Sequence, residues 1–159
     1  MNRERRLNVA YGSNLNLEQM ARRCPTANVY GKGMLKGYQL LFKGASQNAY
    51  ATIKTCQNGK VPVLVWELQQ EDEKALDYYE GFPRFYYKEN VVVKLESGEH
   101  IMAMVYIMTD KMKDRIHLNF PSRRYVDIVT AGYLEAGFDT AFIEDALEVS
   151  KKAIRKRKK

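Results

Sequence analysis

Apolar and polar positions fall into strand-sized runs over the first two-thirds of the chain and switch to helical spacing in the last third. Leu7 to Tyr11 is a short apolar run ending in Gly12-Ser13-Asn14, which predicts a buried strand leading into a turn. Leu15 and Met20, with polar residues between them, predict a short helix that stops before Pro25, with Ser13 or Asn14 as its N-cap. Residues 28 to 43 carry β-formers interrupted by Gly31, Gly33 and Gly37 and predict one or two bent strands. Ala49 to Lys54 predicts another short strand, Asn58-Gly59 a turn, and Val61 to Leu68 a buried strand containing Trp66. Glu71 to Glu80 is acidic at its start and rich in helix formers, and Gly81 closes it with Pro83 beyond: a helix with its C-cap. Val91 to Leu95 and Ile101 to Met108, on either side of Glu96-Ser97-Gly98-Glu99, predict a hairpin. From Pro121 onward Tyr125, Ile128, Val129 and Gly132 recur at helical spacing; Gly137 ends that helix and Thr140 to Ile154 forms a last one. The pattern is α+β, with a small curved or closed mixed sheet.

At 159 residues the chain has the length of one domain with one core, set here at residues 1–150, followed by a basic C-terminal tail at 151–159. The net charge of +7 invites a nucleic-acid reading until its location is traced. Residues 151 to 159 hold seven basic residues and no acidic ones, so the remainder of the chain is neutral. A terminal charge run of this kind is ordinarily a solvated helix end or an extension. No apolar run is long enough to span a bilayer or to serve as a signal peptide, and the expected location is the cytoplasm. Cys24 and Cys56 are expected to be reduced thiols. With only His100 and His117 beside them, in no metal-ligand spacing, a zinc site or a histidine-based nucleophilic enzyme is disfavoured, and any acid/base is sought among the carboxylates.

Three places carry candidate chemistry. In the turn Tyr11-Gly12-Ser13-Asn14-Leu15, Gly12 lets a ligand approach the main chain, and N–H groups at a helix start suit an anion or a carbonyl oxygen. The plain alternative is a capped strand-to-helix turn. Glu80 ends its helix four residues after Leu76, on the apolar side and at the negative end of the helix dipole. Both the dipole and burial raise a carboxyl pKa, as an acid/base working near neutrality needs; the alternative is a glutamate at a helix end reaching solvent. Tyr86, Tyr87 and Tyr125 could orient a substrate with their hydroxyls, or could serve simply as core or surface aromatics.

In order and spacing, several segments resemble the γ-glutamylcyclotransferase-like family, also described as AIG2-like. They are Tyr11-Gly12-Ser13-Asn14-Leu15; Leu76-Asp77-Tyr78-Tyr79-Glu80-Gly81-Phe82-Pro83 with Tyr86 and Lys88; Tyr106-Ile107-Met108; Pro121-Ser122-Arg123-Arg124-Tyr125; and Ala131 to Gly137. The likeness runs from about residue 7 to 145. It implies a small mixed β-barrel with flanking helices and an enzyme that releases 5-oxoproline and an amino acid or amine from a γ-glutamyl substrate. Glu80 would then be the catalytic acid/base, and Tyr11, Gly12, Ser13, Asn14 and Leu15 the substrate-binding loop. Tyr125 would contact the substrate, as would Tyr86 or Tyr87, and neither metal nor cofactor is implied. Lys88 stands where many bacterial members place Arg. Two other readings stay open: a non-catalytic module of the same fold that binds a small carboxylate, and a protein that contacts nucleic acid through its basic tail alone. The leaving group and the oligomeric state are not written in these motifs.

Overall fold

The computed structural model describes residues 6–45, 48–112 and 115–158. Six strands form one sheet: β1 (Arg6–Ala10), β2 (Asn28–Gly44), β3 (Tyr50–Leu68), β4 (Tyr86–Leu95), β5 (His100–Met108) and β6 (His117–Leu118). Their order is β3-β1-β5-β4-β2-β6, and β2 also pairs with β3, so that five strands close into a barrel with β6 attached to its outside edge. All neighbours are antiparallel except β1 and β5, which run parallel with Asn8 opposite Met104 and Val9 opposite Val105. The barrel and its flanking helices are those expected from the pattern and from the family resemblance.

The interior is filled from alternate positions of these strands. Val61, Val63 and Val65 on β3, Val93 on β4 and Val105 on β5 are fully buried, with Phe42 from β2. Each such side chain removed from water is worth roughly 1.5–3 kcal/mol. Barrel closure depends on Gly33: a Cβ there would stand 2.5 Å from the Lys94 carbonyl oxygen, where β2 crosses onto β4.

Two expectations are corrected here. Asn58-Gly59 does not separate two strands, because Tyr50 to Leu68 is one continuous strand whose two halves both pair with β2. The pair sits in a local irregularity between Lys36↔Lys60 and Tyr38↔Thr55, where Gly37 (φ 85°) and Asn58 (φ 68°) take left-handed conformations. The turn chemistry is real, and the ladder absorbs it as a bulge. The first helix is likewise capped by neither Ser13 nor Asn14: residues Ser13–Leu15 form a single 3₁₀ turn, and α1 (Leu17–Arg23) starts on Asn16, whose Oδ1 accepts from Gln19 N–H at 3.0 Å.

The other helices follow their sequence signals. α2 (Gln70–Glu80) stops at Gly81 (φ 66°), with Phe82 N–H returning to the Asp77 carbonyl at 2.9 Å. α3 (Arg123–Ala136) begins on Ser122, whose hydroxyl accepts from Tyr125 N–H at 3.2 Å, and ends on Gly137 (φ 78°). α4 (Ala141–Arg157) packs on β2, and its Ser150 hydroxyl donates to the Phe42 carbonyl at 3.2 Å. Residues 151–157, five of them basic, continue this helix with the basic side chains exposed.

Candidate active site

Because β1 and β5 run parallel, their C-terminal ends lie side by side, and the chain leaves β1 through Tyr11 directly into the 3₁₀ turn. The Tyr11 hydroxyl crosses to donate to the Tyr106 carbonyl of β5 at 2.6 Å. Trp66 Nε1 on β3 donates to the Asn14 carbonyl at 3.0 Å, and α3 presses on the turn from outside. That contact requires Gly132, where a Cβ would stand 2.8 Å from both the carbonyl carbon and the Cβ of Leu15. Gly12 has a matching role within the turn: a Cβ there would lie 2.8 Å from Ala51 Cβ and 3.3 Å from Tyr125 Oη.

A cavity of about 350 Å³ opens over this turn. Tyr11 to Asn14 line one side, the end of α2 from Tyr78 to Gly81 another, and Phe85, Tyr86, Tyr106 and Tyr125 contribute aromatic wall. Glu80 enters partly buried, and its Oε1 accepts from Asn14 Nδ2 at 3.2 Å. Burial pushes its carboxyl up to about 7, while the Arg23 charge and the Asn14 amide pull the other way. This is the direction expected from its position, with burial as the main cause.

The tyrosines are neutral walls. Tyr86 donates from its hydroxyl to the Ala51 carbonyl at 2.7 Å, and Tyr125 Oη accepts from Ala51 N–H at 3.1 Å, so both grip the start of β3. Burial raises the hydroxyls of Tyr11 and Tyr86 well above the usual phenol range, and those of Tyr106 and Tyr125 above it too. Strand alternation settles the choice between adjacent tyrosines: Tyr86 is buried and lines the cavity, whereas Tyr87 is 40% exposed and lies outside it. Leu15 is buried beneath the turn and is not part of the lining; its N–H is spent on the Gly12 carbonyl at 3.0 Å.

Lys88 supports the site from behind. Its Nζ lies 2.8 Å from Glu73 and 2.9 Å from Asp77 on α2, and Asp77 accepts from the Tyr106 hydroxyl at 2.6 Å. Glu73 is also gripped by the Arg6 fork, with both contacts at 2.9 Å. Burial of the Glu73 carboxyl works against its ionisation, but these hydrogen bonds outweigh it and hold the group down at about 2.

Three participants carried no signal strong enough to be singled out from sequence. Tyr79 stands beside Glu80, and its hydroxyl is 3.2 Å from Ser13 Oγ. Tyr106 lines the cavity from β5. Arg23 ends α1 and reaches the turn and α2 together. Tyr79 and Tyr106 were visible only as members of motifs, and Arg23 was not singled out at all.

The site is thus a tyrosine-lined cavity at the joined ends of parallel β1 and β5, with one carboxyl group near neutrality on its wall. The chain belongs to the family described as "Gamma-glutamyl cyclotransferase, AIG2-like", whose sequence profile matches residues 9–127. Among curated proteins it is similar to human gamma-glutamylcyclotransferase, at 29% identity over 147 residues covering 87% of this chain and 75% of the relative. The protein of the same name from Bos taurus is 29% identical over 139 residues, covering 82% of this chain and 71% of the relative. A solved structure titled "Gamma-glutamyl cyclotransferase" superposes with a TM-score of 0.78 at 26% identity, covering 90% of this chain and 86% of that one.

Proposed function

We propose that the protein is a γ-glutamylcyclotransferase-type enzyme that converts a γ-glutamyl amino acid or amine into 5-oxoproline and the free amino acid or amine, with Glu80 as general acid/base. The observation that carries this reading is the Glu80 carboxyl, poised at about 7 in a cavity that it shares with the Gly12 turn. In the ionised form Glu80 takes a proton from the substrate's α-ammonium group. The freed amine attacks its own γ-carbonyl carbon, a carbon–nitrogen bond forms, and the carbonyl oxygen becomes an oxyanion. Collapse of that intermediate breaks the bond to the departing nitrogen. Of the three ammonium protons, one stays on the lactam nitrogen and two end on the departing amine, with Glu80 as the shuttle.

Nucleophile and electrophile lie in one molecule, so the protein's work is to fold the substrate and meet the developing charge. Leu15 N–H is already engaged, which leaves the earlier N–H groups of the turn, at Gly12, Ser13 and Asn14, as the donors this reading assigns to the oxyanion. Tyr11, Tyr86 and Tyr125 shape the wall that presses the glutamyl chain into its cyclising conformation. The chemistry involves no redox step and no electron sink, and in this reading needs neither metal nor cofactor. Two unpaired cysteines suit a reducing compartment such as the cytoplasm. Among the described residues no helix is long and apolar enough to cross a membrane.

Incubating the purified protein with a panel of γ-glutamyl amino acids and γ-glutamylamines tests the proposal, with 5-oxoproline as the product assayed. Glu80→Gln is expected to lose ~10² to 10⁴ in rate while keeping its fold. Saturable binding of a γ-glutamyl compound without any 5-oxoproline release would favour the non-catalytic binding module instead.

A further inference from the structure

Arg23 takes no part in the steps above, yet its guanidinium joins the turn to the end of α2. Nη1 donates to Asn14 Oδ1 at 2.6 Å and to Ser13 Oγ at 3.4 Å. Nη2 donates to Tyr79 Oη at 2.8 Å and to Gln19 Oε1 at 2.9 Å, and Cζ lies 3.7 Å from the centre of the Tyr79 ring. A carboxamide has one acceptor end and one donor end. With the acceptor end of Asn14 held by Arg23, its donor end is the one turned to Glu80, Nδ2 to Oε1 at 3.2 Å. The main chain at Asn14 is held separately by Trp66 Nε1 at 3.0 Å. Arg23 therefore governs which way the amide faces, and the course of the backbone has another support.

We propose that Arg23 is a positioning residue that keeps the N–H end of the Asn14 amide on Glu80, so that the carboxylate waits in the cavity ionised and aimed. The proposal rests on Glu80 being the acid/base; the orientation of the amide does not depend on which γ-glutamyl compound is bound. Without Arg23 the amide is free to turn its oxygen toward Glu80, an arrangement that repels a carboxylate and welcomes a protonated acid. Among the described residues, no other group facing Glu80 substitutes for the lost charge. Tyr11 at the end of β1, Tyr86 on β4, Tyr106 on β5 and Tyr125 on α3 are phenols that burial keeps neutral, and the Tyr79 hydroxyl on α2 is occupied by Ser13 and Arg23. Among the described residues, Arg23 is the cation that acts on Glu80.

The decisive experiment titrates the Glu80 carboxyl by carbon-13 NMR in the wild type and in Arg23→Gln, alongside kcat/KM across the neutral pH range. In Arg23→Gln the titration midpoint is expected to rise by about one pH unit above the wild-type value. kcat/KM should then fall about tenfold on the acid side and recover on the alkaline side. Arg23→Lys keeps a charge but cannot span Asn14 and Tyr79 together, so it should shift the midpoint the same way by less. If Arg23→Gln does not fold, Arg23→Lys carries the test alone. A midpoint unmoved in the folded variant overturns the proposal, and so does a rate loss equal at every pH. Should the wild type prove inactive on every γ-glutamyl compound, the proposed reaction falls, and the titration by itself still decides the role of Arg23.

Discussion

Glu80 is a carboxyl group whose proton the folded protein holds more tightly than the unfolded chain does, because burial disfavours its charge. An acid with a raised folded-state pKa weakens the fold as it ionises. The weakening is absent below its ordinary value of 4.5, grows as pH rises and is complete above about 7. Its size is roughly 3 kcal/mol. Glu80→Gln is therefore expected to match the wild type in thermal stability near the acid end of that window and to exceed it by several degrees above the window. Differential scanning calorimetry at the two pH values checks this, and equal melting temperatures at both would mean that the carboxyl is well solvated. In the proposed mechanism the same residue costs stability at the pH where it works ionised, a balance expected of an active-site acid.

Among the elements, the contact of α3 on the 3₁₀ turn leaves no room for a side chain at Gly132. Gly132 in mid-helix gives up about 1 kcal/mol of helix propensity relative to alanine. The reason lies across the interface, where Leu15 leaves no room for a methyl group. Gly132→Ala should gain the propensity term and lose more, roughly 1–3 kcal/mol, through overpacking. Because the strain falls on the turn that lines the cavity, 5-oxoproline release should drop by more than the urea midpoint alone would suggest. A variant more stable than wild type with full activity would show that the interface yields at no cost. The helix ends, by contrast, were legible from local chemistry: Gly81 and Gly137 take the left-handed conformation that their positions after helical segments suggested. Asn58-Gly59 has the same local chemistry, and there β2 runs past the whole of β3 and turns a predicted connection into a bulge.

Over the whole molecule, one ion-pair cluster ties three elements behind the cavity: Arg6 from β1, Glu73 and Asp77 from α2, and Lys88 from β4. Glu73 is held at about 2, below its ordinary 4.5, so it behaves oppositely to Glu80. Its stabilising contribution is full above the ordinary value and disappears as pH falls through about 2. Glu73→Gln should lower stability at neutral pH and flatten the acid limb of a stability–pH curve followed by denaturant titration. An acid limb of unchanged slope would show that the cluster adds nothing to the fold. As α2 carries Glu80, loosening this cluster should also blunt activity without touching the cavity wall.

The chain by itself determined the things that depend on near neighbours in sequence: the glycine-capped ends of α2 and α3, the β4–β5 hairpin, the apolar rows of the barrel, and the suspicion that a glutamate on an apolar helix side would be hard to ionise. These follow from spacing, capping chemistry and the direction of a helix dipole, all of which act within a few residues. Tertiary structure decided what depends on contacts between distant segments. It decided that Tyr86 and not Tyr87 faces the cavity, because β4 pairs with β5 in one register. It decided that Leu15 supports the turn from below, because Gly132 brings α3 against it. Arg23 became a partner of Tyr79 only when α1 and α2 met, across 56 positions of sequence. Hydrogen bonds and burial of that kind are set by closure of the barrel, and no local pattern of residue types encodes them.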